Sequence, residues 1–195
     1  MTFRRARPGD GATLFAVTGA AVAGLAAAHY PATTIRDWMA GRTVAEYEAL
    51  IGRHWLVVAE PGVLTRLFVR PDAAGQGLGA RLLEIGVAFA AADGQGPVTL
   101  GATLNARGFY ERHGFRFVRN GTYRHALDSP EIAIAHMALS AERAARRAGA
   151  MAGVLAQLGP ACPSPAKAGS PEPRGHDPRP AAGPTRSPRR QRPTP

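Results

Sequence analysis

The chain is poor in cysteine and lysine. Cys162 is its only cysteine and Lys167 its only lysine, and both stand in the C-terminal part. A lone cysteine excludes an internal disulfide framework and a cysteine-based zinc site, and its place in a proline-rich segment excludes a cysteine nucleophile in the core. This composition suits a reducing compartment, so we expect a cytoplasmic protein.

Acidic residues are also few, with 24 basic against 14 acidic residues and a net charge of +10. Residues 159–195 hold seven of the basic residues and two of the acidic ones, so half of the excess belongs to that segment. Eleven of its 37 residues are proline, which predicts disorder. The rest of the chain is mildly basic, which suits an anionic cofactor but does not identify one.

The N-terminus offers two interpretations. Three arginines among residues 4–7 precede an apolar run over residues 12–28, as in a secretory signal. Asp10 interrupts this pattern, and with the proline and glycine before it favours a turn into a helix N-cap. Because alanine and glycine dominate the run, we predict a helix of the folded domain and no membrane span.

Hydrophobic periodicity and turn residues predict an α/β order of elements. The predicted strands are residues 2–6, 54–59, 63–69, 98–103, 115–119 and 132–139. The predicted helices run from Asp10 toward His29, through Ile35 to Met39, from a capping box of Thr43 and Glu46, from Arg81 to Ala90, from Asn105 to His113, and over residues 140–158.

Three glycines stand between a predicted strand and a predicted helix, in residues 75–80 (GQGLGA). Free backbone N–H groups and the positive end of a helix dipole meet at such a turn, so it can bind phosphate oxygens. A Walker loop is excluded because no Lys-Ser/Thr pair follows. The segment also satisfies the Rossmann pattern G-x-G-x-x-G/A. However, residues 70–74 separate the predicted strand from the first glycine, where the Rossmann motif has a tight turn.

Residues 67–83 (LFVRPDAAGQGLGARLL) as a whole resemble the acyl-CoA motif of the GNAT N-acetyltransferases. Residues 109–115 (FYERHGF) are similar to the helix that follows the fifth strand in that superfamily. His29, Tyr30, Ile35 and Trp38 resemble the subgroup of small bacterial YafP-like members. The resemblance covers residues 2–139.

The resemblance implies a GNAT-type fold, a mixed, mostly antiparallel sheet with flanking helices, and acetyl-CoA as co-substrate. A splayed strand would pair with the pantetheine arm, the glycine segment would cradle the pyrophosphate, and a backbone amide near Phe68 would stabilise the oxyanion. The residues implied in cofactor binding are Leu67, Phe68, Val69, Gly75, Gln76, Gly77, Leu78, Gly79, Ala80 and Thr103.

The implied reaction is direct attack of a neutral amine on the acetyl thioester. Tyr110 matches the position that protonates the leaving thiolate, so it is the predicted general acid, and a core tyrosine is the alternative. An alkyl amine has a pKa of about 10 and must first lose a proton. Glu60, His54 or water are the candidate bases, His113 and His125 are interpreted as surface or packing residues, and the histidines show no metal spacing.

Two features depart from the family pattern. Ala74 replaces the usual Arg or Gln, which removes one side-chain phosphate donor. Residues 54–71 hold room for two strands where the superfamily has three, so the sheet is predicted to be one strand short before the pyrophosphate loop. Loss of one strand from an antiparallel meander reverses the direction of the strands before it relative to those after it. The first strands therefore cannot all keep their usual places in the sheet.

We therefore predict a GNAT domain over residues 1–139, an appended helix over 140–158 and a disordered tail over 159–195. The predicted function is acetyl transfer to an amine of a small molecule or peptide, without membrane or nucleic-acid partners and with a homodimer possible. The alternatives are a degenerate CoA-binding protein and an interaction module that acts through its basic tail.

Overall fold

The computed structural model describes residues 3–53, 58–60, 62–92, 96–127 and 129–158. Its strands are β1 (Val58–Glu60), β2 (Val63–Arg66), β3 (Val98–Thr103), β4 (Arg116–Tyr123) and β5 (Ile132–Leu139). Its α-helices are α1 (Gly11–Ala21), α2 (Ala32–Asp37), α3 (Val44–Arg53), α4 (Leu78–Ala92), α5 (Arg107–Arg112) and α6 (Ala141–Leu158). A π-helical turn, Val22–Ala26, and a 3-10 turn, Ala27–His29, prolong α1, and further 3-10 turns cover Pro71–Ala73 and Leu104–Ala106.

The strands form one sheet in the order β1-β2-β3-β5-β4. β2 and β3 are parallel, and the other three pairings are antiparallel. The β2–β3 ladder consists of two pairs, Val63 with Thr99 and Leu64 with Leu100, although β3 continues to Thr103. The two strands therefore part after Leu64. The predicted fold class, a mixed and mostly antiparallel sheet flanked by helices, is confirmed.

The main core lies on the face of the sheet that α4 and α6 cover. Leu83 and Val87 of α4 are fully buried, one turn apart, against Leu100 of β3 and Met137 of β5. Burial alternates along β3, where every second residue from Val98 onward is buried, as a half-buried strand requires. This alternation aims the residues between them at the opposite face.

A second, smaller core covers that opposite face. Val22 and Ala26 of the extended first helix pack with Tyr30 and Trp38 on two isoleucines of β5, Ile132 and Ile134. The Tyr30 hydroxyl donates a hydrogen bond to the Ala133 carbonyl at 2.7 Å and accepts one from the Leu104 amide at 2.7 Å. Tyr30 thus connects β5 to the turn that follows β3.

Removal of this hydroxyl should destabilise the fold. A Tyr30→Phe variant would leave the Leu104 N–H and the Ala133 carbonyl of these two part-buried hydrogen bonds without their partner, so we expect a loss of about 1–2 kcal/mol in the free energy of unfolding. Urea denaturation of the full chain measures it. Tyr110→Phe, at a buried tyrosine whose hydroxyl has no hydrogen-bond partner in the described structure, is the matched control, and equal losses in the two variants would contradict the bridging role.

The predicted first strand is wrong for the residues that the structure describes. Residues 3–7 form no strand, and Thr2 lies outside the described residues. Local hydrogen bonds compete successfully with a sheet ladder here, since the Asp10 carboxylate accepts from the Arg4 guanidinium at 2.6 Å and from the Arg7 amide at 2.8 Å. The missing strand therefore does not reverse a first strand of the sheet, because the described N-terminal residues form helices that pack on the sheet.

The start of α1 also differs from the prediction in its chemistry. Asp10 occupies the N-cap position, but its side chain makes no capping hydrogen bond. Glu48 of α3 supplies the cap instead, since its carboxylate accepts from the Gly9 amide at 2.5 Å and from the Gly11 amide at 2.8 Å. A carboxylate at a helix N-terminus is favourable because of the helix dipole.

By length and composition, the segment Gly11–His29 would be able to cross a membrane, with a mean hydropathy of 1.7. Core helices of soluble proteins share this length and composition, so the absence of a membrane span stays a prediction. In the folded chain the buried residues of its second half pack against Tyr30 and Trp38. This packing gives the apolar side of the segment a role inside the fold.

The remaining predicted elements are found with shifted ends. The strand predicted over 63–69 ends at Arg66 because β3 parts from it. The strand predicted over 115–119 continues to Tyr123. Of the strand predicted over 54–59, residues 58–60 are β1 and residues 54–57 lie outside the described residues. The capping interaction predicted at Thr43 is present, with the Glu46 amide 3.2 Å from the Thr43 hydroxyl.

Candidate functional site

A cavity of about 610 Å³ lies where β2 and β3 part. Residues 63–68 line it along β2 and its continuation, and Thr99, Gly101 and Thr103 line it along β3. Trp38 and two isoleucines of β5 contribute apolar surface from the second core. The cavity is thus partly apolar and is lined by residues from both faces of the sheet, as suits a small-molecule site.

The glycine segment lies between this divergence and α4. Gly75 has φ +78° and Gly77 has φ +79°, and a β-carbon at either position would meet no atom within 4 Å. Glycine is therefore required by the backbone conformation and not by lack of space. α4 begins at Leu78, so the amides of its first turn have no partner in the helix and are free to bind an anion.

Side chains connect the glycine segment to the cavity. Gly79 lies against the Phe109 ring and the Val69 side chain, since a β-carbon there would stand 3.5 Å from the ring. Phe109 makes an edge contact with Tyr110, and Tyr110 lines the cavity. The Gln76 side chain donates a hydrogen bond to the Asp72 carbonyl at 2.9 Å, so it holds the loop.

The structure brings most of the predicted site residues together. Leu67, Phe68, Thr103 and Tyr110 line the cavity, and residues 75–80 form the turn and the start of α4 beside Val69 and Phe109. Ala74 ends the 3-10 turn, with its amide 3.2 Å from the Pro71 carbonyl. The predicted pyrophosphate cradle and the predicted acid therefore lie in one connected region.

Tyr110 is buried, with 7% of its surface exposed. Its ring packs edge-on against Phe109 and Phe115, and in the part of the chain that the structure describes its hydroxyl has no hydrogen-bond partner. Burial raises the pKa of Tyr110 to about 12. The phenol is therefore protonated at physiological pH and able to donate a hydrogen bond into the cavity.

His136 is a cavity residue that the sequence interpretation missed. It pairs with Gly101 across β3 and β5 and with Arg119 across β4 and β5, so the three residues share the second face of the sheet. A β-carbon at Gly121 would overlap the imidazole, so that glycine makes room for the ring. Burial and the nearby Arg119 charge lower the pKa of His136. A histidine within an apolar strand was the available sequence signal.

A hydrogen-bonded chain leads from the cavity toward α3. Tyr123 lines the cavity, and its hydroxyl lies 3.3 Å from Nδ1 of His125. Nε2 of His125 lies 3.1 Å from the Glu46 carboxylate. The interpretation of His125 as a surface or packing residue therefore missed this pairing, whose partners are far apart in the sequence.

The other candidate bases lie elsewhere. The His113 ring is 2.8 Å from the Phe109 carbonyl, and His113 does not line the cavity. Glu60 ends β1, and nothing is described of its side chain. His54 lies outside the described residues. Within the described ranges, no group of three or more His, Cys, Asp or Glu residues is able to hold a metal ion.

Residues 34–130 match the family model described as acetyltransferase (GNAT) domain. A GCN5-related N-acetyltransferase from Rhodopseudomonas palustris is similar in structure, with TM-score 0.63 and 23% identity over 70% of this chain and 93% of that chain. A PaiA N-acetyltransferase from Thermoplasma acidophilum, solved with coenzyme A, has TM-score 0.53 and 17% identity over 70% of this chain and 96% of that one. No curated protein matches the chain. The matches support the family and the fold, but not the YafP-like subgroup.

Proposed function

Since residues 34–130 form a GNAT acetyltransferase domain, we propose that this chain transfers the acetyl group of acetyl-CoA to an amine. The observation that carries the proposal is the parting of β2 from β3 beside a glycine turn with two left-handed residues. This arrangement offers unpaired strand backbone for an extended thioester and free helix amides for its phosphates. We propose a cytoplasmic location on the grounds of composition.

In the proposed complex, residues 67–69 bind the pantetheine arm, the amides from Gly75 to Ala80 bind the pyrophosphate, and Thr103 lies beside the thioester. A backbone amide near Phe68 would donate a hydrogen bond to the developing oxyanion. The amine nitrogen attacks the carbonyl carbon, an N–C bond forms and the C–S bond breaks. The thiolate takes a proton, for which Tyr110 is the proposed donor.

His136 is the proposed acceptor of the amine proton. It lines the same cavity, and its lowered pKa keeps the imidazole neutral near pH 7, as a base must be. Donor and acceptor belong to α5 and β5, so proton removal and proton delivery would come from different elements. This separation suits a reaction in which one proton leaves the amine and another reaches the thiolate.

The base role predicts a pH-dependent effect of His136→Gln. Near pH 7 we expect kcat/KM to fall about tenfold, with the loss shrinking as pH approaches the amine pKa of about 10, where the free amine needs no base. As pH falls through the lowered pKa of His136, below 6.5, the imidazole becomes protonated and wild-type activity should decline toward that of the variant. Rates from pH 5 to 9 measure this ratio.

The control for this experiment is His29→Gln, because His29 is exposed and lies outside the cavity lining. It should leave the pH profile unchanged. A wild-type to His136→Gln ratio that stays constant across the whole pH range would contradict the base role.

Calorimetric titration of the full chain with acetyl-CoA, with NAD and ATP as controls, tests the proposed function. Binding of acetyl-CoA alone, followed by release of CoA with an amine, supports the transferase. Binding without turnover would favour a degenerate CoA-binding protein, in keeping with the short sheet. No binding would contradict both and leave the interaction module, for which deletion of residues 159–195 is the test.

A further inference from the structure

We propose that Arg42 forms an anion-binding subsite in the cavity, so that the acceptor is an amine that also carries a carboxylate. The inference rests on the proposed acetyl transfer and adds the chemical class of its acceptor. Its basis is a guanidinium group that is buried beside the cavity without a carboxylate partner among the described residues.

Arg42 follows α2 and lines the cavity, yet it is 8% exposed. Its Nη1 lies 3.5 Å from the Tyr47 hydroxyl, and its buried Nε has no hydrogen-bond partner. Within the described residues, no Asp or Glu oxygen lies within 4.0 Å of it. Burial of a charge is costly unless a counter-ion or strong hydrogen bonds offset it.

Two exposed arginines, Arg36 and Arg70, show the contrast. Arg36 and Arg70 are mostly exposed, and each forms an ion pair with a neighbouring aspartate at 2.8 Å. Arg42 has the opposite pattern, because it is buried and has no carboxylate counter-ion among the described residues. Since arginine stays protonated in proteins, the carboxylate of a bound ligand would compensate its charge.

The cavity as a whole carries the same sign. Arg66 and Arg119 also line it, and among the described lining residues there is no aspartate or glutamate. A second cationic group on the acceptor would be repelled here, whereas a carboxylate would be attracted. The planar guanidinium matches a carboxylate with two parallel hydrogen bonds, which gives orientation as well as affinity.

Arg42 lies on a different element from the proposed cofactor site. The glycine segment stands between β2 and α4, whereas Arg42 belongs to the turn between α2 and α3, four residues after Trp38. Trp38 packs with Phe68 and Ile134, so this turn covers the second face of the sheet, the face of His136. The subsite therefore belongs with the proposed base and with the acceptor.

Matched acceptors test the proposal on the full chain with acetyl-CoA. The pairs are phenylalanine with phenethylamine and lysine with cadaverine, which differ by one carboxylate, and CoA thiol release is the readout. Wild type should prefer the carboxylated member of a pair. Arg42→Met should lower kcat/KM for that member by about 10- to 100-fold and leave its partner nearly unchanged, as expected for a charged hydrogen bond.

Arg36→Met is the control variant, because Arg36 is an exposed arginine nearby, and it should change neither rate. Arg42→Lys should recover only part of the preference, since an ammonium lacks the planar fork. The affinity for acetyl-CoA should be the same in all variants. A weaker affinity for acetyl-CoA in Arg42→Met would assign the arginine to the cofactor and overturn the proposal.

Binding and stability separate this proposal from the proposed function. N-acetylphenylalanine should bind wild type and not Arg42→Met by calorimetry, a result that holds even if acetyl-CoA fails to bind and the transferase proposal falls. Without ligand, Arg42→Met should be as stable as wild type or more so, because a buried unpaired charge is removed. A destabilised variant, equal effects on both members of each pair, or no carboxylate binding would overturn the subsite.

Discussion

A Gly77→Val variant should bind acetyl-CoA about 100-fold more weakly than wild type, because a β-branched residue at φ +79° costs a few kcal/mol and the turn will relax to other dihedrals. The relaxed turn would direct its amides away from the phosphates. Calorimetric titration measures the affinity. The effect comes from the backbone, since no atom lies within 4 Å of the position that a β-carbon would take.

Gly149→Val is the matched control for this experiment. Gly149 lies in α6, also with nothing within 4 Å of its β-carbon position, and its φ is not positive. The same side chain is added to open space in both variants, so only the backbone conformation differs. Equal affinities of the two variants for acetyl-CoA would contradict the role of the turn.

Tyr110→Phe should lower kcat about 100-fold and leave the affinity for acetyl-CoA unchanged, if the phenol protonates the departing thiolate. This is the lower end of the usual range for general acids, because a phenol with a pKa of about 12 transfers its proton uphill to a thiolate whose thiol has a pKa of about 8.5. Steady-state kinetics with saturating acetyl-CoA measures the loss.

The pH dependence of Tyr110 follows from the sign of its shift. Its acid form is present at every pH below about 12. Loss of the Tyr110 proton should therefore cause no decline in wild-type activity between pH 8 and 10, and wild type and variant should depend on pH in the same way over this range. Stability should also stay the same, because the hydroxyl has no partner to lose in the described structure. This is the reverse of Tyr30→Phe, which should lose stability with a small change in kcat. Unchanged turnover in Tyr110→Phe would leave it a core tyrosine.

The first strand illustrates why local pattern was insufficient at the N-terminus. Residues 2–6 have a composition that a strand accepts, and the wrong prediction came from ignoring where Asp10 would bind. Its carboxylate holds the segment through Arg4 and Arg7. The N-terminal helices pack on the sheet through Val22 and Ala26. Gly24 lies so close to Pro71, in the 3-10 turn before the glycine segment, that a β-carbon would overlap the proline ring.

Some residues of the candidate site were predicted from the sequence, and others were found only in the structure. Leu67, Phe68, Thr103 and Tyr110 were predicted because they belong to two motifs that are contiguous in the sequence. Arg42 and His136 were missed because neither belongs to a motif, and each becomes notable only through its surroundings. Arg42 is distinguished by burial without a carboxylate partner among the described residues, and His136 by Gly121, where a β-carbon would overlap its ring.

The sequence by itself determined the order of helices and strands from Asp10 onward, the glycine turn and the family to which residues 34–130 are matched, because periodicity, turn residues and motifs are local properties. Only the tertiary structure decided that β2 and β3 part after Leu64, that Glu48 caps α1 and that Arg42, His136 and Tyr110 face one cavity. Those features depend on contacts between residues far apart in the chain, and burial and charge pairing are properties of the folded whole.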